Sequence, residues 1–407
     1  MNNRVLDAAA LRDANLIQVY QAVSDGTCST RAELASALRM SRSTASSLVQ
    51  GLIDLHVLDE AGPASSKGGR RATKLRIRED HWYILGTDLG ATHIGSALMT
   101  LTGEIRATRF ESMDVRGNPQ GALEEVERQC LDLMRGAELD CSRIIGLGVA
   151  VPSPVSPQRP GFVSESIMPA WVDIDVCGSL ENSLGVKVAL GNDANLGGLA
   201  ESLWGIGQRA SSLAYIKVGT GVGCGLICDG KVYQGTWGFA GELGHLLMKD
   251  DASEPQTLND LVGKAALERA YERLKLEVSG TRVPSSSGSS PALLAQQGDP
   301  VACAVIAEAG RLVGRAVTDM IHLMNPEMII LGGSLAMAGD LLLRPVQDEV
   351  HRLAGWSDLQ ATRISLGQLG ERGIVAGAAG SILSLFEADI RGWLEPKVSS
   401  LPVASGE

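Results

Sequence analysis

Apolar positions in the first fifty residues recur at helical spacing. Leu16, Ile17, Tyr20 and Val23 share one helix face, and Asp25-Gly26 ends that segment. Thr30-Arg31-Ala32-Glu33 has the Thr-x-x-Glu form of a capping box and opens a second helix with Leu34 and Leu38 inside. Met40-Ser41 turns the chain, and Ser41 is placed to cap a third helix. There Ala45, Leu48, Val49 and Leu52 fall at i, i+3, i+4 and i+7, while Ser43, Ser46, Ser47 and Gln50 form the opposite, small polar face. The period then drops to two. Lys74, Arg76 and Arg78 alternate with Leu75 and Ile77 after a Gly/Ser/Arg-rich turn that follows Val57-Leu58, which predicts a hairpin.

From Tyr83 onward the pattern is that of buried strands. Tyr83–Asp88 runs into the tight turn Leu89-Gly90-Ala91-Thr92, then a strand from His93 to Leu101 and another from Glu104 to Phe110. The same order returns later: Leu213–Val218, the turn Gly219-Thr220-Gly221-Val222-Gly223, a strand to Cys228 and an Asp229-Gly230 turn into another. Two strand–glycine turn–strand units imply two related α/β lobes with a cleft between them. A strand over Val186–Leu190 feeds a helix at Gly191-Asn192-Asp193-Ala194-Asn195. Asp299–Met324 reads as one long amphipathic helix, Glu327–Leu331 as a strand and Ile374–Leu385 as a small-residue helix. Ser279–Ser290 reads as a disordered loop, and the tail after Pro396 as loose.

Charge changes this picture in one respect. The whole chain of 407 residues carries −11, which argues against nucleic acid, but the first 80 residues hold 11 Lys/Arg against 9 Asp/Glu and the remainder 25 against 38. Between 41 and 78 the count is 7 basic to 3 acidic, so positive charge is gathered at the third helix and the hairpin. No apolar run approaches the ~20 residues of a membrane span, and the charged N-terminal stretch does not read as a secretory signal, so a cytoplasmic protein without membrane contact is expected. The seven cysteines are scattered without a CxxC pair and predict neither disulfides nor a cysteine zinc site.

Small polar side chains let a helix approach base edges, and a helix N-terminus favours phosphate. Ser41, Arg42, Ser43, Thr44, Ser46, Ser47 and Gln50 are therefore the candidate DNA-reading residues, with Lys67, Arg70 and Arg71 of the hairpin as groove or phosphate contacts. A plain three-helix bundle with a solvated face and a basic linker would carry the same residues. In the second part, amides and threonines of the two glycine turns (Asp88, Gly90, Thr92; Gly219, Thr220, Gly221) suit nucleotide phosphates. Asp193, at a strand-to-helix junction, could accept a proton from a sugar hydroxyl; an Asp or Asn there could equally be only a helix cap.

Taken in order, DLGAT, GVAVPSPV, GNDAN, KVGTGVGCG, GELGH and IILGGSLA behind the N-terminal segment resemble the ROK family of repressors, open reading frames and sugar kinases. The resemblance implies an N-terminal winged helix-turn-helix (all-α plus a β-wing) fused to a two-lobed, actin-like, ribonuclease H-like α/β sugar-kinase domain. It divides the chain into a DNA-binding domain at 1–80, a small lobe at 81–192 with a helix at 383–396 packing back, and a large lobe at 193–382. It further implies that Asn192, Asp193, Glu242 and His245 bind sugar hydroxyls, with Asp193 standing where kinases have their base. Four departures count: Ala91 replaces a glycine of the phosphate turn, Asn259 stands for a sugar-binding glutamate, Ser153-Pro154-Val155-Ser156 replaces Gly-Pro-Val-Asp, and the stretch LLMKDDASEPQTLNDLVG directly after His245 holds no cysteine where the family has three, so the family's zinc site is lost. The expectation is a non-enzymatic regulator without metal or other cofactor, with Asp193 vestigial. It would bind double-stranded operator DNA and a sugar or sugar-phosphate effector as a homodimer or homotetramer. An ATP-dependent sugar kinase with a regulatory head is the alternative.

Overall fold

The computed structural model describes residues 8–63, 72–158, 168–249, 255–279, 290–355 and 361–400. The chain opens with three helices, α1 (Ala8–Ser24), α2 (Arg31–Ala37) and α3 (Arg42–Asp54), followed by the antiparallel hairpin β1 (Leu58–Pro63) and β2 (Thr73–Ile77). Thr30 caps α2 by accepting from the Glu33 amide (3.2 Å), and Ser41 caps α3 by accepting from Thr44 (3.0 Å). The capping box closes differently from the sequence expectation: Glu33 reaches back chiefly to the Ser29 amide (2.7 Å) and hydroxyl, one residue before the cap. Leu75 and Ile77 are buried while Lys74 and Arg76 are exposed, the alternation a one-sided hairpin needs.

Two five-stranded sheets follow. The first is ordered β5-β4-β3-β6-β7, from β3 (Tyr83–Leu89), β4 (His93–Thr100), β5 (Ile105–Ser112), β6 (Ile144–Val151) and β7 (Lys187–Asn192). Helices α4 (Pro119–Gly136) and α5 (Val176–Leu184) connect its later strands. The chain then runs through α6 (Asp193–Trp204) into β8 (Ser212–Val218), β9 (Val222–Cys228), β10 (Lys231–Val232), the small pair β11 (Leu247–Lys249) and β12 (Gln256–Thr257), and helices α7 (Leu258–Val262), α8 (Lys264–Ser279), α9 (Pro291–Gln296) and α10 (Pro300–Met324). It closes with β13 (Met328–Gly332), α11 (Asp340–Leu353), β14 (Arg363–Leu366), α12 (Gly373–Ala388) and α13 (Ile390–Ser400). The second sheet is ordered β10-β9-β8-β13-β14, so each sheet repeats one local order of strands, third, second, first, fourth, fifth. This is the internal repeat that the two glycine-turn units anticipate. The tail expected to be loose after Pro396 is helical as far as Ser400, where α13 ends, and its remainder lies outside the described residues. The loop expected at 279–290 falls almost wholly outside the described residues.

Contacts group the chain into two units: 1–149 with 175–189 and 379–407, and 150–174 with 190–378. The N-terminal helices belong to the first. There the Tyr20 ring of α1 meets Phe386 edge-on at 5.9 Å, its hydroxyl faces Glu387, and Arg391 of α13 lies 3.5 Å from Asp13. A second tie joins the end of α3 to the segment after β2. Trp82 Nε1 donates to the Leu55 carbonyl (2.8 Å), the His56 and His81 rings lie 4.1 Å apart, and Arg143 donates to the carbonyls of His81 (2.7 Å) and Asp80 (3.0 Å). In the second unit Ala302, Ile306, Val313 and Val317 of α10 pack with Ile216, Val218, Ile329 and Leu331 of the sheet. The seven cysteines are all free thiols, and burial pushes Cys130 and Cys224 up to about 12.

A buried histidine and a half-buried glutamate in the first unit titrate in opposite senses. Burial, then the cations Arg143, His56 and Arg78, push His81 down to about 3, so the folded chain refuses a proton that an unfolded histidine takes near 6.5. Burial pushes Glu387 up to about 7, so the folded chain keeps a proton that an unfolded glutamate releases near 4.5. The His81 contribution to stability therefore grows with pH from about 3 to about 6.5, while that of Glu387 shrinks from about 4.5 to about 7, each by at most about 1.4 kcal/mol per pH unit. From about pH 4.5 to 6.5 the two offset each other. Urea unfolding across that window should show each variant unmasking its neighbour: Glu387→Gln leaves stability that climbs more steeply with pH than in the parent chain, and His81→Phe leaves stability that declines relative to it. Parallel pH profiles for parent and both variants would contradict this assignment.

Candidate functional site

Two sets of expected residues are laid out by the fold. On α3, Arg42, Ser43, Thr44, Ser46, Ser47 and Gln50 are all exposed, as is the cap Ser41, while Ala45, Leu48, Val49 and Leu52 are buried. The polar face is thus presented outward over a fixed apolar face. Ser41 shares hydroxyl hydrogen bonds with Ser43 (2.7 Å) and Thr44 (2.8 Å), and Gln50 donates to Asp54 (2.9 Å). Lys67, Arg70 and Arg71 lie outside the described residues.

The second set gathers where β7 passes into α6. Asn192 is the N-cap: its Oδ1 accepts from the amides of Ala194 (3.0 Å) and Asn195 (3.1 Å), and its Nδ2 donates to the Ser153 carbonyl (3.2 Å). Its acceptor is occupied by the helix, which limits Asn192 as a hydroxyl ligand to its remaining N–H. Asp193, only 5% exposed, is the first residue of the helix, with its Oδ2 hydrogen-bonded to Lys217 Nζ from β8. Glu242 stands close enough for the Asp193 charge to act on it. Burial raises the Glu242 carboxyl first and foremost, Asp193 adds to the rise, and His245 opposes it from 3.7 Å. Gly241 positions this glutamate: its φ of +89° is open to glycine, and a side chain there would overlap the Cys224 carbonyl oxygen. His245 itself is largely exposed at 61% of its side chain.

Asn259 serves the neighbouring glycine turn. Its Oδ1 accepts from the Val222 amide (2.6 Å), and Lys264 N donates to Gly219 O (2.9 Å), so α7 and α8 brace Gly219-Thr220-Gly221 from below and leave Thr220 exposed. In the other unit Thr92 is likewise exposed on its turn. Ala91 is accommodated there without strain, since positive φ outside glycine occurs, among the described residues, only at Arg39, His56, Glu138, Asp229 and Asn325. Asp88 is already engaged: His93 Nε2 lies 3.2 Å from its Oδ2, and the imidazole covers Gly90 and stacks on Phe110 at 5.5 Å.

Lys217 and His93 were absent from the residues singled out in the sequence. Each carries a signal in retrospect: Lys217 is a cation inside the buried run LAYIKV, and His93 is a polar ring following a turn of small residues. For a family zinc ion the residues do not fit. No cysteine accompanies His245, and no group of three His, Cys, Asp or Glu among the described residues could hold a metal. No described helix is long and apolar enough to cross a membrane.

Residues 84–383 match the family model described as ROK family. The chain belongs to the ROK family. It is 26% identical over 385 residues to the xylose repressor of Caldicellulosiruptor bescii, a match covering 92% of this chain and 96% of that one. Among solved structures it resembles a ROK family transcriptional regulator described as a homologue of the E. coli MLC protein (TM-score 0.77, 22% identity, 95% of this chain and 99% of the other). It also resembles a ROK family glucokinase from Streptomyces griseus in complex with glucose and AMPPNP (TM-score 0.65, 23% identity, 73% and 98%). At these identities the two structures establish the fold.

Proposed function

We propose that this ROK chain is a DNA-binding transcriptional regulator, a repressor of carbohydrate uptake or catabolism genes, whose grip on operator DNA is set by a sugar held at Asp193 and Glu242. One observation carries the proposal. Positions 1–83 lie outside the family match, yet the likeness to the xylose repressor and to the ROK regulator extends over 92% and 95% of the chain, whereas the glucokinase matches 73%. The regulators share the N-terminal segment as well as the sugar-kinase body.

The three helices and hairpin are read as a winged helix-turn-helix at 1–80, with α3 as the recognition helix. The remainder is read as a small lobe at 81–192 joined by 383–396 and a large lobe at 193–382. Exposed Arg42, Thr44, Ser46, Ser47 and Gln50 support DNA reading by α3. Two such heads in a homodimer or homotetramer would span half-sites about 34–36 Å apart or a multiple of that. The pairing of Asp88 with His93 and of Asp193 with Lys217, and the capping role of Asn192, support ligand binding without phosphoryl transfer. The chain would act in the cytoplasm on chromosomal DNA.

A gel shift with operator DNA, with and without D-xylose, D-glucose and a panel of other neutral sugars, tests this. One sugar should change operator affinity by about 5–150-fold, the usual range of a coupling free energy. Asp193→Asn should abolish that response and leave sugar-free DNA binding unchanged. If no carbohydrate moves the affinity of the parent chain, the effector half of the proposal is wrong.

A further inference from the structure

Exposed aromatic side chains gather just before the glutamate of the proposed sugar site. Four aromatic side chains are exposed among the described residues, and three of them, Tyr233 (52%), Trp237 (62%) and Phe239 (49%), lie between the end of β10 and Gly241. A single apolar side chain on a surface is ordinary, but a cluster marks a place where something binds. The loop that carries them is pinned. Tyr233 N donates to the Leu226 carbonyl of β9 (2.7 Å), and Ala240 N donates to the Gln234 carbonyl (3.2 Å), closing the loop on itself. Gly238, at a φ of +87°, lies against the Val155 carbonyl oxygen, where a side chain would overlap it. Side chains on so fixed a loop lose little backbone freedom when they are covered.

The loop shares its footing with the carboxylates. Ser153, at most about 7 Å along the chain from Val155, accepts from Asn192, the cap beside Asp193. At its other end the loop runs through Gly241 directly into Glu242. An apolar platform and hydroxyl acceptors therefore stand on one support. That combination suits a carbohydrate, whose pyranose has a face of C–H bonds and a rim of hydroxyls. A sugar ring held by Asp193, 5% exposed, and Glu242, 29% exposed, is drawn inward and cannot also cover three aromatic side chains that each bury ~150–250 Å² when packed.

We infer that the loop from Tyr233 to Phe239 is a stacking platform for a second sugar ring, so that the effector is a disaccharide or longer oligosaccharide. The inference rests on the sugar-site proposal above for the first ring. Trp237, the largest and most exposed of the three side chains, is its specificity-determining residue: it stacks on the second ring and leaves the first to the carboxylates.

The test is calorimetry on the full-length chain with three sets of neutral sugars: D-xylose and xylobiose, D-glucose with cellobiose and maltose, and N-acetylglucosamine and chitobiose. At least one disaccharide should bind at least about tenfold tighter than its own monosaccharide. Trp237→Ala should weaken that disaccharide at least about fivefold and the monosaccharide under about twofold, and Trp237→Tyr should restore part of the loss. Phe239→Ala is the second variant should Trp237→Ala fail to fold. Tryptophan emission should shift to the blue when the disaccharide binds the parent chain, and the shift should be lost in Trp237→Phe. Monosaccharides that bind as tightly as every disaccharide overturn the inference and leave the sugar-site proposal standing, whereas binding of neither kind overturns both. Equal weakening of both kinds by Trp237→Ala also overturns it, since Trp237 would then serve the first ring. So does an oligomer of the parent chain that falls apart in Trp237→Ala during sedimentation, because the platform would then be an interface between copies.

Discussion

Gly377→Ala is expected to lower the stability of this protein by about 3 kcal/mol or more, near the upper end of what overpacking usually costs. Gly377 lies in α12 directly against the carbonyl oxygen of Leu196 in α6, and a methyl group there would overlap that backbone atom. A flexible side chain could swing aside, but the carbonyl cannot move without shifting the helix. The strand-facing side of α6 is equally tight, because a methyl on Gly225 of β9 would overlap the carbonyl of Ala194. Pinned on both sides, α6 has nowhere to go, and Asp193 at its start would be displaced with it. Urea denaturation measures the loss. Gly136→Ala, in open space at the end of α4, is the control and should be neutral or slightly stabilising. A Gly377→Ala protein as stable as its control would refute the packing described here.

Ser46→Glu combined with Ser47→Glu is expected to weaken operator binding at least about 100-fold, or about 2.7 kcal/mol, while leaving the melting temperature of the protein nearly unchanged. Both serines are exposed on α3, so neither substitution disturbs the core beneath. Each adds a negative charge to a face proposed to lie in the major groove between two phosphate backbones, where like-charge repulsion acts at short range. Raising salt should narrow the gap between variant and parent, because screening weakens that repulsion. Fluorescence anisotropy at several salt concentrations provides the measurement. Unimpaired binding by the double variant would move the DNA-reading surface off α3.

Local patterns were the legible part of this chain. The α10 helix and the alternation of Leu75 and Ile77 follow from periodicity, and the structure has them as Pro300–Met324 and a one-sided β2; Asp299, expected as the first residue of that helix, stands just outside it as the cap, its side chain accepting from Val301 and Ala302. The double occurrence of strand, glycine turn and strand announced two sheets of one plan. What escaped were pairings across long sequence separations. Lys217 meets Asp193 from 24 residues away, and Asn259 meets the Val222 amide from 37, in each case because the folded second unit brings the elements together. Asn259 shows the consequence most clearly. By motif it stands for a sugar ligand, but its side-chain oxygen supports the backbone of a glycine turn. The same holds for Asn192, whose residue type suited both a cap and a hydroxyl ligand and whose oxygen the helix claims.

The seating of Tyr20 on Phe386 and Glu387 has a practical consequence for building hybrid regulators. A transplant that takes only the first eighty residues would strip that phenol of its apolar cover and leave Asp13 without Arg391. The portable cassette is discontinuous: the opening helices and the two closing ones have to travel together if the grafted reader is to keep its shape on a foreign body.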